Sequence, residues 1–112
     1  MPVHFQLKNI ILQSIKDNRT MEEKVIHDKA KLHFIIVIDG KESLVDYTLE
    51  KNRMNLYHTY THPDLRGKGL AAKVVIAALE YAKENNLKII PGCSYVQDFI
   101  AKNTEYKELV AD

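Results

Sequence analysis

Cysteine, net charge and long apolar runs are what this sequence has least of. There is one cysteine, Cys93, so no internal disulfide can form and nothing points to an oxidising compartment. The 16 basic and 15 acidic residues leave a net charge of +1. Nucleic acid and anionic membranes are therefore not expected as main partners, since both select for concentrated basic surface. The longest aliphatic and aromatic run, Phe34-Ile35-Ile36-Val37-Ile38, is far too short to span a bilayer. Metal binding is equally unsupported, because Cys93 and the 5 scattered histidines show no recognised ligand spacing. No internal repeat or low-complexity segment is present.

What remains is ordinary for a folded domain. Apolar residues make up 46% of the chain and charged residues 28%, and 112 residues supply one core and no second domain. A soluble, cytoplasmic protein is expected, with a nuclear or organellar location left open. Residues 1–20 read as an extension. Leu7, Ile10, Ile11 and Ile15 form a short helical stripe that Phe5 and Leu12 fall outside, and a docked terminal helix is the commoner explanation of such a segment. Lys8, Lys16 and Arg19 against Asp17 also suit a weak organelle-targeting segment, whereas the apolar stretch and cleavage site of a secretory signal are missing. Met21 is a conceivable alternative start, and the domain proper is placed at 21–112.

From Val25 onward the pattern is rich in strands. Val25-Ile26-His27 reads as a short strand and Leu32 to Asp39 as a strand whose continuous apolar middle suits cover on both faces. Asp39-Gly40 signals a tight turn, so Ser43 to Leu49 should return antiparallel, with Val45, Tyr47 and Leu49 on its buried face. A second turn at 50–53 leads into Met54 to Thr61. His62-Pro63-Asp64 stops that strand, because proline lacks the N–H the ladder needs and restricts the residue before it. Ala71, Val74, Val75, Ala78, Leu79 and Ala82 then repeat at helical spacing, and Asn85-Asn86 ends the helix. Leu87 to Ile90 forms a short strand, Pro91-Gly92 breaks it, and Ser94 to Lys102 reads as a second helix. Tyr106, Leu109 and Val110 are available to dock the tail. A strand, a crossover helix and a strand imply a parallel pair. The expected fold is therefore α/β, of the mixed α+β kind: a four-stranded antiparallel meander, one parallel pair joined by a helix, and a C-terminal helix.

The chemistry concentrates between Thr59 and Ala72. Gly67 and Gly69 sit at the mouth of the long helix, where unpaired amides and the positive end of the helix dipole can receive phosphate oxygens. Spacing separates three phosphate-binding motifs. The Walker pattern of Gly, four residues and Gly-Lys-Ser/Thr is absent. Gly67-Lys68-Gly69-Leu70-Ala71-Ala72 nominally fits a dinucleotide fingerprint, but that motif expects an acidic residue roughly 20 positions on and a doubly wound sheet, neither of which this chain supplies. The third pattern, Arg/Gln-x-x-Gly-x-Gly/Ala, is met by Arg66, Gly69 and Ala71. A basic, glycine-bearing turn without a ligand is the plainer alternative.

That third pattern, between a strand and a long helix, resembles the acetyl-coenzyme A loop of the GNAT N-acetyltransferases. The element order from Val25 to about Val110 resembles the small single-domain members of that superfamily. The most specific stretches are His58-Thr59-Tyr60, Leu65 to Ala71, and Ile90-Pro91-Gly92-Cys93-Ser94-Tyr95, with Glu105-Tyr106 near the end. The resemblance implies that the strands before and after the long helix splay, with the pantetheine arm of acetyl-coenzyme A between them. It also implies cosubstrate contacts for Thr59, Tyr60, Thr61, Arg66, Gly67, Lys68, Gly69, Leu70, Ala71 and Ser94.

Acetyl transfer to an amine needs a neutral nucleophile, stabilisation of the carbonyl oxyanion and a proton for the departing thiolate. Met54 to Thr61 contains no carboxylate, and His58 is the one group there that titrates near neutral pH, which makes it the candidate base. A histidine merely paired within the sheet is the alternative. Backbone N–H groups near Tyr60 and Thr61 are the expected oxyanion donors. Cys93, at the end of the last strand and the start of a helix, can accept the acyl group, protonate the thiolate or simply line the pocket. The resemblance pairs it with His58. The helices that shape the acceptor pocket of larger GNAT enzymes have no counterpart between the first two strands, where only Asp28 to Lys31 lies, so the amine acceptor is not legible. An open site would suit a protein lysine or amino terminus. A coenzyme A or acyl-coenzyme A binding module without turnover is the rival reading, and a domain without any ligand is a third.

Overall fold

Asp39 and Gly40 both adopt positive φ, 50° and 75°, as a two-residue turn of the kind that matches strand twist requires. They join two strands of a computed structural model that describes residues 24–112. Strand β1 spans Ile26–Asp28, β2 His33–Ile38, β3 Lys41–Glu50 and β4 Arg53–Thr61. A short 3-10 turn, Pro63–Leu65, precedes helix α1, Leu70–Glu84. Strand β5, Lys88–Pro91, helix α2, Ser94–Lys102, and a 3-10 segment, Thr104–Leu109, complete the chain. The five strands lie in sequence order, antiparallel from β1 to β4 and parallel between β4 and β5. This is the mixed sheet the sequence predicts. The docked helix expected over residues 1–20 and the start at Met21 lie outside the described residues.

Helix α1 buries Leu70, Val74, Val75, Ala78, Leu79 and Ala82 against one face of the sheet. Its partners include Phe34, Ile36, Val45, Tyr47, Met54 and Leu56, all at most 3% exposed. Each buried Leu or Val contributes about 1.5–3 kcal/mol, so this layer dominates the stability. The helix begins one residue before the predicted stripe, since Leu70 joins the core. It ends where Asn86 takes φ of 56° and Leu87 N–H closes onto the Ala82 carbonyl at 2.8 Å. Val96 and Ile100 of α2 and Tyr106 extend the same core, and the Tyr106 hydroxyl donates to Glu80 Oε2 at 2.9 Å. The tail adds a bridge to β5 at Ile89↔Val110.

Two expectations are corrected here. Phe34, Ile35 and Ile36 are all buried, as cover on both faces requires, but Val37 is 46% exposed, so that cover stops short of the end of β2. Leu49, predicted to face inward, is 45% exposed beside the β3–β4 turn. No helix among the described residues is long and apolar enough to cross a membrane.

Candidate functional site

Strands β4 and β5 pair from Arg53↔Lys88 to Leu56↔Pro91 and no further. Beyond that point β4 runs on to Thr61, while the chain leaves β5 through Gly92 and Cys93 into α2. Gly92 lies at the fork. A Cβ there would run into Asn55 Oδ1 and stand 3.3 Å from the Tyr57 Cα, so glycine lets the two backbones meet before they part. Among the described residues Asn55 Oδ1 has no hydrogen-bond partner.

The unpaired half of β4 begins with a bulge. Leu56 lies opposite Tyr47, but His58 rather than Tyr57 lies opposite Asp46, so Tyr57 is the extra residue. It shifts the alternation by one: Met54 and Leu56 face the helices before it, Thr59 and Thr61 after it. His58 and Tyr60 accordingly share the open face with Asp46 and Leu44. Backbone polarity follows the same alternation. His62 N–H donates to the Glu42 carbonyl on the β3 side at 2.9 Å, which aims the amide of Tyr60 at β3 and those of Thr59 and Thr61 into the fork. The Thr61 carbonyl is indeed reached from that edge, by Arg66 Nε at 3.2 Å. Of the two amides expected as oxyanion donors, near Tyr60 and Thr61, that of Thr61 faces the fork and that of Tyr60 faces β3.

At the foot of the fork, Gly67 and Gly69 hold φ of 82° and 75°. A Cβ on either would meet nothing within 4 Å, so the space above both is open. Gly69 caps α1 with no side-chain hydrogen bond, and the helix's first turn carries no acidic residue. The positive end of the dipole therefore faces a cavity of about 220 Å³ lined by Thr61, Leu65, Arg66, Gly67, Gly69, Leu70, Ala71, Ala72 and Tyr95. On the helix side of the fork Thr59 Oγ1 lies 3.7 Å from Cys93 Sγ, and Thr61 Oγ1 lies 2.8 Å from Ser43 Oγ. On the open face His58 Nδ1 lies 2.9 Å from Asp46 Oδ2. No three His, Cys, Asp or Glu side chains among the described residues group closely enough to hold a metal ion.

A parallel pair that parts above a glycine-lined helix start is the splay the resemblance implies, and comparison with known proteins gives the same family. The family described as GCN5-related N-acetyl-transferase matches residues 33–109. The chain belongs to this family. Protein NATD1 of Danio rerio is 31% identical over 83 residues, which cover 71% of this chain and 76% of that protein. The Homo sapiens protein of the same name is 29% identical over 83 residues, 71% of this chain and 74% of its own. The solution structure of a GCN5-like protein from Staphylococcus aureus superimposes with a TM-score of 0.63 at 28% identity, covering 80% of this chain and 89% of that one.

Within this N-acetyltransferase domain the sequence-predicted residues fall into three groups. Thr61, Arg66, Gly67, Gly69, Leu70 and Ala71 line the cavity together. Thr59 and Cys93 touch each other across the fork, while Lys68 and Ser94 are exposed beside it. His58 and Tyr60 stand on the other face of the sheet, so His58 and Cys93 flank the fork from opposite sides. Sequence reasoning missed Leu65, Ala72 and Tyr95 as lining residues, and Asp46 as the partner of His58. Strand register could have found Asp46 had the bulge been foreseen.

Proposed function

We propose that this domain transfers the acetyl group of acetyl-coenzyme A to an amine, a protein lysine or amino terminus being the acceptor class that its open site suits. The observation that carries the reading is the unpaired edge of β4 above a glycine-opened helix start. Gly67, Gly69 and the first turn of α1 receive the diphosphate, with Arg66 and Lys68 supplying positive charge. The Thr59 carbonyl and the Thr61 amide pair with the amides of the pantetheine arm as an added strand would, which leaves the Thr59 amide for the thioester. A fork-facing amide then holds the carbonyl oxygen as negative charge develops on it.

His58 takes a proton from the acceptor ammonium on the open face. The freed nitrogen lone pair forms the N–C bond to the thioester carbon, the nitrogen releases its second proton to solvent, and the C–S bond breaks. Cys93 returns a proton to the departing thiolate from the helix face, and His58 gives up its proton to solvent. Cys93 regains its proton from solvent.

Calorimetry with acetyl-coenzyme A, followed by thiol release with a panel of amines and peptides, tests the reading. Binding that weakens in Gly69→Val, and turnover that falls in His58→Ala and Cys93→Ala, are expected. Tight binding with no thiol release on any amine identifies a carrier-binding module instead, and absence of binding leaves the proposal without support.

A further inference from the structure

On the open face of the sheet one row of side chains alternates in chemical type. Asp28 on β1, His33 on β2, Asp46 on β3 and His58 on β4 lie directly opposite one another in register. Asp46 is held from both sides: its Oδ2 lies 2.9 Å from His58 Nδ1 and its Oδ1 lies 3.5 Å from His33 Nδ1. Exposure rises along the row, from 12% for the His33 side chain through 24% for Asp46 to 55% for His58. The anchored end is the shielded one, and the exposed end is the one a substrate can touch.

Register alone would not build this row. Were Tyr57 paired in unbroken register instead of bulged, it would lie opposite Asp46, and His58 would pair with Val45 on the buried face. The bulge that turns Thr59 and Thr61 to the helix face is thus the same irregularity that swings His58 onto the acidic side chain. An ionised carboxylate only accepts hydrogen bonds, so His58 Nδ1 must carry the hydrogen and Nε2 keeps its lone pair, directed away from Asp46.

We propose that Asp46 is a positioning residue for His58, fixing it in the Nδ1–H form with Nε2 presented to the acceptor amine, and that His33 steadies Asp46 from behind. The inference rests on the acetyl-transfer reading above, in which His58 is the base. In that step the acceptor's N–H bond breaks, an Nε2–H bond forms and the electron pair stays on the acceptor nitrogen. Asp46 remains ionised and faces the imidazolium. A base oriented by a third group in this way follows the logic of nucleophile–base–orienter triads.

The test joins side-chain nitrogen NMR of the histidines with steady-state kinetics, on wild type, Asp46→Ala, Asp46→Asn and His58→Gln. The wild-type His58 ring is expected in the Nδ1–H form, and Asp46→Ala is expected to redistribute it. Both Asp46 variants should lower kcat by about 10- to 100-fold, while KM for acetyl-coenzyme A stays within about twofold. The volume-matched Asn variant guards against a folding defect in the Ala one. A ring that stays in the Nδ1–H form without Asp46, or unchanged kcat in both Asp46 variants while His58→Gln is impaired, overturns the positioning role alone. Unchanged turnover in His58→Gln removes the base assignment, and the proposal with it.

Discussion

Thr59 Oγ1 and Cys93 Sγ meet at 3.7 Å across the gap that β4 and β5 leave beyond Leu56 and Pro91. One belongs to the strand whose edge is free and the other to the cap of α2, so the contact spans the fork on its helix side. Each residue is brought there by an irregularity, Thr59 by the bulge at Tyr57 and Cys93 by the close passage of Gly92.

Cys93→Ala should therefore lower kcat by about 10- to 100-fold, if Cys93 delivers the proton to the thiolate, and leave the dissociation constant for acetyl-coenzyme A nearly unchanged. Stopped-flow thiol release beside calorimetry makes the comparison. Equal kcat in variant and wild type would reduce Cys93 to a lining residue.

Gly69→Ala places a side chain where φ is 75° but where no atom lies within 4 Å. Strain without collision predicts a loss of about 1–2 kcal/mol in urea unfolding. The added methyl also stands at the helix mouth, so the affinity for coenzyme A should fall more than the stability does. Unaltered affinity would show that the diphosphate docks elsewhere.

Gly92→Ala differs in kind, because its methyl group strikes Asn55 Oδ1. A loss of about 1–3 kcal/mol is expected from overpacking. Asn55→Ala in the same chain should recover much of it, giving a non-additive double-mutant cycle. Strict additivity would mean that the two side chains do not compete for the fork.

His27 offers a pH prediction away from the fork. Its Nε2 lies 2.7 Å from the Tyr47 hydroxyl, and its ring stacks on Phe34 with centroids 4.0 Å apart. Burial, and secondarily the charge of Lys29, lower its pKa from the ordinary 6.5. The unfolded chain then binds the proton more readily than the folded one, so stability rises with pH across this window. The contribution is complete above about 6.5 and is lost as pH falls towards the lowered folded value. Melting temperatures of wild type and His27→Gln should converge below that window and diverge above it. Parallel curves would contradict the assignment.

Much of the fold is legible in particular residues. Asp39-Gly40 fixes the first hairpin because few pairs tolerate two positive φ angles in succession, and the stripe from Val74 to Ala82 fixes α1 because its period has no other reading. The glycines at 67 and 69 mark the cavity for the same reason of backbone freedom. The exposure of Leu49 and Val37 was not legible, since alternation tells which residues share a face and not how far the covering layer extends.

The local sequence by itself determined the elements, their order and the glycine-bearing loop before α1, because dihedral preferences and hydrophobic period act over a few residues. Tertiary structure alone decided which side of β4 each site residue faces. One extra residue at Tyr57 reverses that alternation, and its placement depends on pairing with β3 across a turn. That pairing, invisible in composition or period, sets His58 against Asp46 on one face and Thr59 against Cys93 on the other.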